Sequence, residues 1–429
     1  MECQESLTRP LPSADVGIFR DPIQCFKKSS CTEPMLASFR SALCSLAQGR
    51  RPRQASAGNT MAFHPPHFCM KPDKETREFL AEFIRTDNPY GLCWTIKCIA
   101  PVLCGRELPD GSSSIRRYEN MRTRAKCYNE FKIPKKSGGE RTIQAPEKDL
   151  KDIQKCLNFI LSELWHPHDC AHGFTHGRSV VSGASMHVGH NYVFNTDIKD
   201  FFPSITLKRV RSALKTMGLP ESTASFIAEL ATLPSAAANA GAVSAGDCVL
   251  PQGAPTSPIL SNIVCGKMDI RLMGLAKRFG LTYTRYADDM TFSSPHNVYQ
   301  EDGEFMKELL RIVSDNGFSL NTSKTRLMKR GARQEVTGLT VSSKVNVSRK
   351  WIKALRAEIH HYETESWKDD LAPAVRSRLV GKVNWLGLVR GRDYDMFRDL
   401  QARVAHLIYA RQYCLDPSEV NWLTIDNGA

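Results

Sequence analysis

Two stretches with the composition of buried β-strands run into acidic side chains. NYVFNTDIKDFFPSI places Asp197 at the end of an apolar run, and GLTYTRYADDMTFSS sets Asp288 and Asp289 side by side in the middle of one. Carboxylates are among the groups least often found inside, and an ionised one is costly to bury unless it is paired or binds a cation. The chain must therefore build a sheet whose strands end on an acidic cluster. Neighbouring residues of a strand point to opposite faces. The adjacent Asp pair thus makes sense at a hairpin tip, where Asp288 can face an Asp197 delivered by the next strand.

Taken singly, each Asp reads as a turn residue or an ion-pair partner; taken together, they read as a metal site. Clustered carboxylate oxygens suit Mg²⁺, which retains waters and completes its shell with substrate phosphates. Two such ions, with Mn²⁺ as a substitute, would activate a hydroxyl and stabilise a leaving pyrophosphate in an in-line displacement, the chemistry of nucleotidyl transfer. The charge balance points the same way. Lys and Arg number 58 against 45 Asp and Glu, a formal charge of +13 over 429 residues, which favours a polyanionic partner. With 41% hydrophobic and 24% charged residues the chain is globular, long enough for roughly two or three packed subdomains, and neither disordered nor fibrous.

No run reaches the ~18 apolar residues that span a bilayer, and the N-terminus has neither a basic segment nor an apolar core of a leader, so the expectation is a cytoplasmic protein with no membrane partner. The 14 cysteines contain no CxxC pair and are expected to be reduced and mostly buried. HPHDCAHGFTHGRS gathers His166, His168, Cys170, His172 and His176, but their spacing fits no closed zinc site.

Residues 1–70 mix Pro, Ser, Gly and Arg without period and read as a flexible or loosely attached extension. A helix with Phe79, Leu80, Phe83 and Ile84 on one face opens the folded body. EFKIPKKSGGERTIQAP reads as a basic hairpin turning at Ser137, Gly138 and Gly139. In the following helix Leu150, Ile153, Leu157, Ile160, Leu161 and Leu164 share a face. Near the C-terminus Trp351, Leu355 and Ile359 line one side of a helix whose Arg349, Lys350, Lys353 and Arg356 lie largely elsewhere.

With these motifs in order, the chain resembles a reverse transcriptase of the bacterial retron type over roughly residues 75 to 407. NTDIKDFFPSI looks like the first carboxylate motif, LPQGAPTSPILSN the template and nucleotide positioning motif, YADD the signature, GFSLNTSKT the motif after it, and VTGLTV the later strand pair. The resemblance implies that Asp197, Asp288 and Asp289 bind the catalytic metals. It sets Phe202 beneath the incoming sugar, where a bulky ring excludes a 2′-hydroxyl, and leaves Phe201 to the core. Gln252 and Gly253 would line the nucleotide pocket, Lys135 and Arg141 would close on the triphosphate, and Lys324 would neutralise or protonate the leaving group. Arg178, His187, Arg349, Lys350, Lys353, Arg356 and Arg390 would contact RNA, with Arg392 beside them and Trp385 and Leu388 in the core. Where the family's inserted region reads NAxxH, this chain has Gly183, Ala184, Ser185, Met186 and His187.

The implied architecture is α+β, a right-hand polymerase. Fingers would cover 71–190, a ferredoxin-like βαββαβ palm 191–346, and a helical thumb with the C-terminal tail 347–429. The implied activity is RNA-directed DNA synthesis. Its partners would be a structured noncoding RNA template, the DNA product, deoxynucleoside triphosphates and an effector protein, in antiviral defence. Three alternatives stand beside it: a defence reverse transcriptase with another priming chemistry, a group II intron-type enzyme, and a non-catalytic RNA-binding scaffold.

Overall fold

The computed structural model describes residue 84 and residues 89–109, 113–135, 138–235, 248–364 and 372–409. The extension expected over 1–70 and the C-terminal tail lie outside them, and of the helix expected around Phe79 only Ile84 is among them. The chain begins its described part with helix α1 (Pro89–Cys104), the strands β1 (Tyr128–Pro134) and β2 (Glu140–Pro146), and helices α2 (Lys148–Leu164) and α3 (Val180–Ser185). Strand β3 (Tyr192–Asp197) is followed by helices α4 (Leu207–Thr216), α5 (Glu221–Ala231) and α6 (Ser257–Phe279). Then come strands β4 (Thr282–Tyr286) and β5 (Asp289–Ser294), helix α7 (Glu304–Asp315), strand β6 (Arg326–Lys329), and helices α8 (Arg349–Thr364), α9 (Pro373–Arg390) and α10 (Asp395–Tyr409).

The described residues fall into two compact units, one within Met70–Leu164 and Val210–Thr256, the other within Trp165–Arg209 and Ser257–Ala429. In the first, α2 buries Leu150, Ile153, Leu157, Ile160 and Leu161 as the helical spacing predicts. β1 and β2 form the expected antiparallel hairpin, with Pro134 opposite Glu140. Gly138 and Gly139 take φ of 85° and 79° there, and the Lys135 amide donates to the Gly139 carbonyl at 2.9 Å. Left-handed backbone of this kind costs glycine nothing.

The second unit is built on a four-stranded antiparallel sheet in the order β4-β5-β3-β6. With α6 leading into β4 and α7 between β5 and β6, this is the ferredoxin-like βαββαβ topology. One face carries Phe194 and Phe292, packed with Tyr283, Tyr299 and Phe305. The other face joins Val193 to a core of Val336, Leu339, Leu355, Ile359, Leu379, Val383, Leu386, Leu400 and Val404, so α8, α9 and α10 share a hydrophobic core with the sheet. The VTG segment turns the short strand pair Glu335–Val336 and Leu339–Thr340 through Thr337 (φ 47°) and Gly338 (φ 84°), the two positive angles of a type I′ hairpin.

Leu388 departs from the expected core: it is 60% exposed, while Trp385 packs partly buried against the cluster. Two residues turn a helix by about 200°, so a buried Leu386 sends Leu388 to solvent. Of the eight described cysteines five are buried.

Candidate active site

The carboxylates meet at the tip of the β4–β5 hairpin. Tyr286 pairs with Asp289, leaving Ala287 and Asp288 as a two-residue turn, and β3 brings Asp197 opposite Asp289. The Ile198 amide donates to the Asp288 carbonyl at 2.9 Å, so β3 grips the turn itself. Burial, then the neighbouring Asp197 carboxylate, pushes Asp288 up to about 6. Burial, then Asp288 and Asp197, pushes Asp289 up to about 7. Crowded carboxylates of this kind repel one another, and a cation relieves the repulsion.

Lys324 already supplies one positive charge. Its Nζ donates to Asp197 Oδ2 at 2.8 Å while the side chain stays 55% exposed. Its short 3₁₀ turn is fastened to β3 by Asn321 N–H to Asp197 O (2.7 Å) and by Lys199 N–H to Ser319 O (2.9 Å). Among the described residues no group of three His, Cys, Asp or Glu side chains is arranged to hold a metal ion, so the expected three-carboxylate metal set is not assembled as such. Asp197 and Asp288 remain as neighbouring carboxylates, a set that fits an ion which takes one or two protein carboxylates and completes its shell with water and phosphate.

Among the described residues, three of the four non-glycine residues with left-handed backbone flank this cluster: Phe174 (φ 58°), Asp200 (φ 47°) and Ala287 (φ 56°). Such strain persists only where the surroundings over-determine it. At Ala287 the surroundings are Arg285, Asp269 and Gly173. Arg285 is fully buried and bonds Asp269 on α6 through Nε (2.8 Å) and Nη2 (2.6 Å), with Nη1 on the Ala287 carbonyl at 3.1 Å. Tyr283 adds its hydroxyl to Asp269 at 3.0 Å. A Cβ on Gly173 would lie 2.5 Å from the Ala287 nitrogen, so that glycine is needed for the 170–175 loop to seat on the hairpin. Asn262 Nδ2 holds the Gly173 carbonyl at 2.9 Å, and the His172 amide donates to the Arg285 carbonyl at 2.8 Å. Sequence reasoning missed Arg285, Asp269, Gly173 and Asn262. The one available signal was an arginine inside the apolar run TYTRYA.

Phe201 is buried and stacks on Phe318, while Phe202 is half-buried beside it. Gln252 and Gly253 sit in the first unit against β2, where the Gln252 carbonyl accepts from the Gln144 amide at 2.7 Å. Gly253 (φ 121°) has no room for a side chain, since a Cβ would be 2.9 Å from both Gln144 O and Ile143 Cγ2. The close approach that this glycine allows is to protein backbone. Lys135 and Arg141 are exposed on the β1–β2 hairpin. Arg349, Lys350, Lys353 and Arg356 are all exposed on α8.

Of the expected RNA contacts, His187 is corrected, while Arg178 and Arg390 are engaged with protein groups. His187 is fully buried, its Nδ1 2.7 Å from Ser293 Oγ and its Nε2 2.7 Å from Thr284 Oγ1, and burial lowers it to about 3. Arg178 spends its guanidinium on the His168 and Ala171 carbonyls (2.6 and 2.8 Å) and on Asp169 (2.9 Å), organising its own loop. Arg390 lies over the Tyr394 ring at 4.3 Å, with Nε and Nη1 buried and making no hydrogen bond.

Residues 133–387 match the family model described as reverse transcriptase (RNA-dependent DNA polymerase). The retron Mx65 reverse transcriptase of Myxococcus xanthus is 41% identical over 276 residues, covering 62% of this chain and 62% of that protein. The retron Mx162 reverse transcriptase of the same organism is 39% identical over 253 residues, 54% of this chain and 52% of that one. The retron Ec86 reverse transcriptase of Escherichia coli is 34% identical over 241 residues, 54% of this chain and 69% of that one. The chain belongs to the reverse transcriptase family and, within it, to the retron type. The family's fold is the right-hand polymerase, in agreement with the mixed helices and sheet described above, and the family depends in general on a divalent metal. No described helix is long and apolar enough to cross a membrane.

Proposed function

We propose that this protein is an RNA-directed DNA polymerase that copies a dedicated structured noncoding RNA into single-stranded DNA, in a retron-type antiviral defence system with a separate effector protein. The observation that carries the reading is the convergence of Asp197, Asp288 and Asp289 at one hairpin tip, with Lys324 on Asp197. The same reading divides the chain into fingers over 71–190, palm over 191–346 and thumb over 347–429.

Asp197 and Asp288 would hold two Mg²⁺ ions, with Asp289 beside them. When bound, these ions supply activation of the attacking hydroxyl and charge neutralisation at the leaving pyrophosphate. Lys324, exposed and on a short turn, can leave Asp197 for a phosphate oxygen, and its ammonium would then balance charge on the leaving group. Phe202 would bar a 2′-hydroxyl. The resemblance extends nucleotide contact to Lys135, Arg141, Gln252 and Gly253. The exposed Arg349, Lys350, Lys353 and Arg356 of α8 would grip the RNA backbone, where shape and phosphate contacts dominate recognition.

The test is extension of a primed RNA template by the purified protein with deoxynucleoside triphosphates, with and without Mg²⁺, beside Asp197→Asn and Asp288→Asn. Synthesis that needs the metal and falls by at least about 1,000-fold in either variant supports the reading, in line with the loss of a principal electrostatic element. Equal synthesis by wild type and variants refutes it.

A further inference from the structure

The 170–175 loop presents Phe174 in a way that core packing does not explain. A phenylalanine in left-handed backbone (φ 58°) carries strain, and the residue, at 42% exposure, returns little burial for it. The loop nevertheless locks that conformation from every side. Gly173 is pressed against the backbone of Tyr286 and Ala287, its carbonyl is held by Asn262, and Thr175 Oγ1 donates to the Ala171 and Gly173 carbonyls at 3.1 and 3.2 Å. Arg178 ties down the Ala171 carbonyl as well. The ring so fixed lies 6.3 Å from Phe202 and 6.3 Å from Tyr286, tilted by 40° and 43°. Phe202, Phe174 and Tyr286 thus form a continuous aromatic step from the DIKDFF segment to the carboxylate hairpin, and Phe174 is its exposed member.

We infer that Phe174 is a nucleotide-contacting residue, whose ring packs against the sugar and base of the incoming deoxynucleotide alongside Phe202. The inference rests on the polymerase reading and adds to it a residue with a definite role: apolar contact that sets nucleotide affinity, and support of the Phe202 ring that sets sugar discrimination. An exposed ring held rigidly beside carboxylates offers a flat apolar surface, and a nucleoside is the planar partner that a nucleotidyl-transfer site takes.

The test uses the full chain and three variants. Phe174→Asn removes the ring but tolerates left-handed backbone, so it folds with unchanged or higher thermal stability. Phe174→Tyr keeps the ring. Phe202→Ala reports on the sugar gate independently. Steady-state incorporation is measured with deoxynucleotides and with ribonucleotides. The expected result is a rise of about tenfold in KM for the deoxynucleotide in Phe174→Asn, with kcat changed far less, near-complete rescue in Phe174→Tyr, and a loss of deoxy-over-ribo preference smaller than in Phe202→Ala. An unchanged KM in Phe174→Asn, with Phe202→Ala still shifting sugar preference, overturns the inference and leaves the polymerase reading standing. A stability loss in Phe174→Asn with unchanged KM assigns the ring to packing, and also overturns it. A wild type without incorporation fails the underlying reading instead.

Discussion

At the scale of the residue, the carboxylate hairpin depends on residues outside the cluster. Gly173 exists to let one backbone lie on another: the absent Cβ would sit 2.5 Å from the Ala287 nitrogen, with no flexible side chain to yield. Gly173→Ala should therefore push the loop off the hairpin that carries Asp288, costing about 1–3 kcal/mol of stability. Thermal denaturation checks the stability. Primer extension should show a loss of at least about tenfold, because shifts of an ångström at reacting groups are expensive. Arg285 and Asp269 work in the same service from below, an arginine and an aspartate of 0% and 1% exposure whose third contact is the Ala287 carbonyl. The clustered carboxylates were legible in the sequence because acid is so improbable inside an apolar strand. Their supports were not. A glycine in HGF says nothing about which backbone will press on it, and an aspartate in a helix such as CGKMDIRL looks solvated until its distant partner is known. The engagement of Arg178 and Arg390 with protein groups was hidden for the same reason: net charge counts basic groups, whereas hydrogen bonding to nearby carbonyls and contact with the Tyr394 ring are settled by the fold.

At the scale of the element, topology was the most readable feature. The β-prone runs and their carboxylate ends pointed to sheet strands meeting at an acidic hairpin, and the order β4-β5-β3-β6 is that of the ferredoxin-like βαββαβ palm that the family resemblance implied. The segment from α3 to β3 was less readable, because His187 looks the same in sequence whether it meets RNA or the sheet. In the fold it bridges Ser293 on β5 and Thr284 on β4 through both ring nitrogens. Held neutral by burial, with its folded value lowered to about 3, it stays unprotonated where the unfolded chain would take a proton. Its contribution is complete above about pH 6.5 and is lost as pH falls from there toward about 3, up to a few kcal/mol in total. Denaturant unfolding between pH 7 and 4 should show a steeper loss of stability in wild type than in His187→Gln. Parallel pH profiles would contradict the assignment.

At the scale of the whole molecule, the formal charge of +13 becomes informative only once the fold has sorted it. Internal pairing consumes Arg285, Arg178 and Arg403, the last bonded to Glu363 at 2.8 and 2.7 Å, while α8 keeps Arg349, Lys350, Lys353 and Arg356 exposed. Replacing those four by Ala should weaken RNA binding at low salt and reduce the slope of log K against log salt by up to about 3, since each phosphate contact contributes about 0.7–0.9. Fluorescence titrations at several salt concentrations measure this, and an unchanged slope would place the RNA elsewhere. The central claim, that the Asp cluster copies a bound RNA into DNA, is tested most directly by sequencing what the protein carries. Wild type and an Asp288→Ala, Asp289→Ala variant are purified from the native operon, and RNA and DNA are recovered separately. One abundant RNA in both, with complementary DNA covalently joined to it only in wild type, is the predicted result; RNA of the same kind with no DNA in either, under conditions where the system is active, would contradict it.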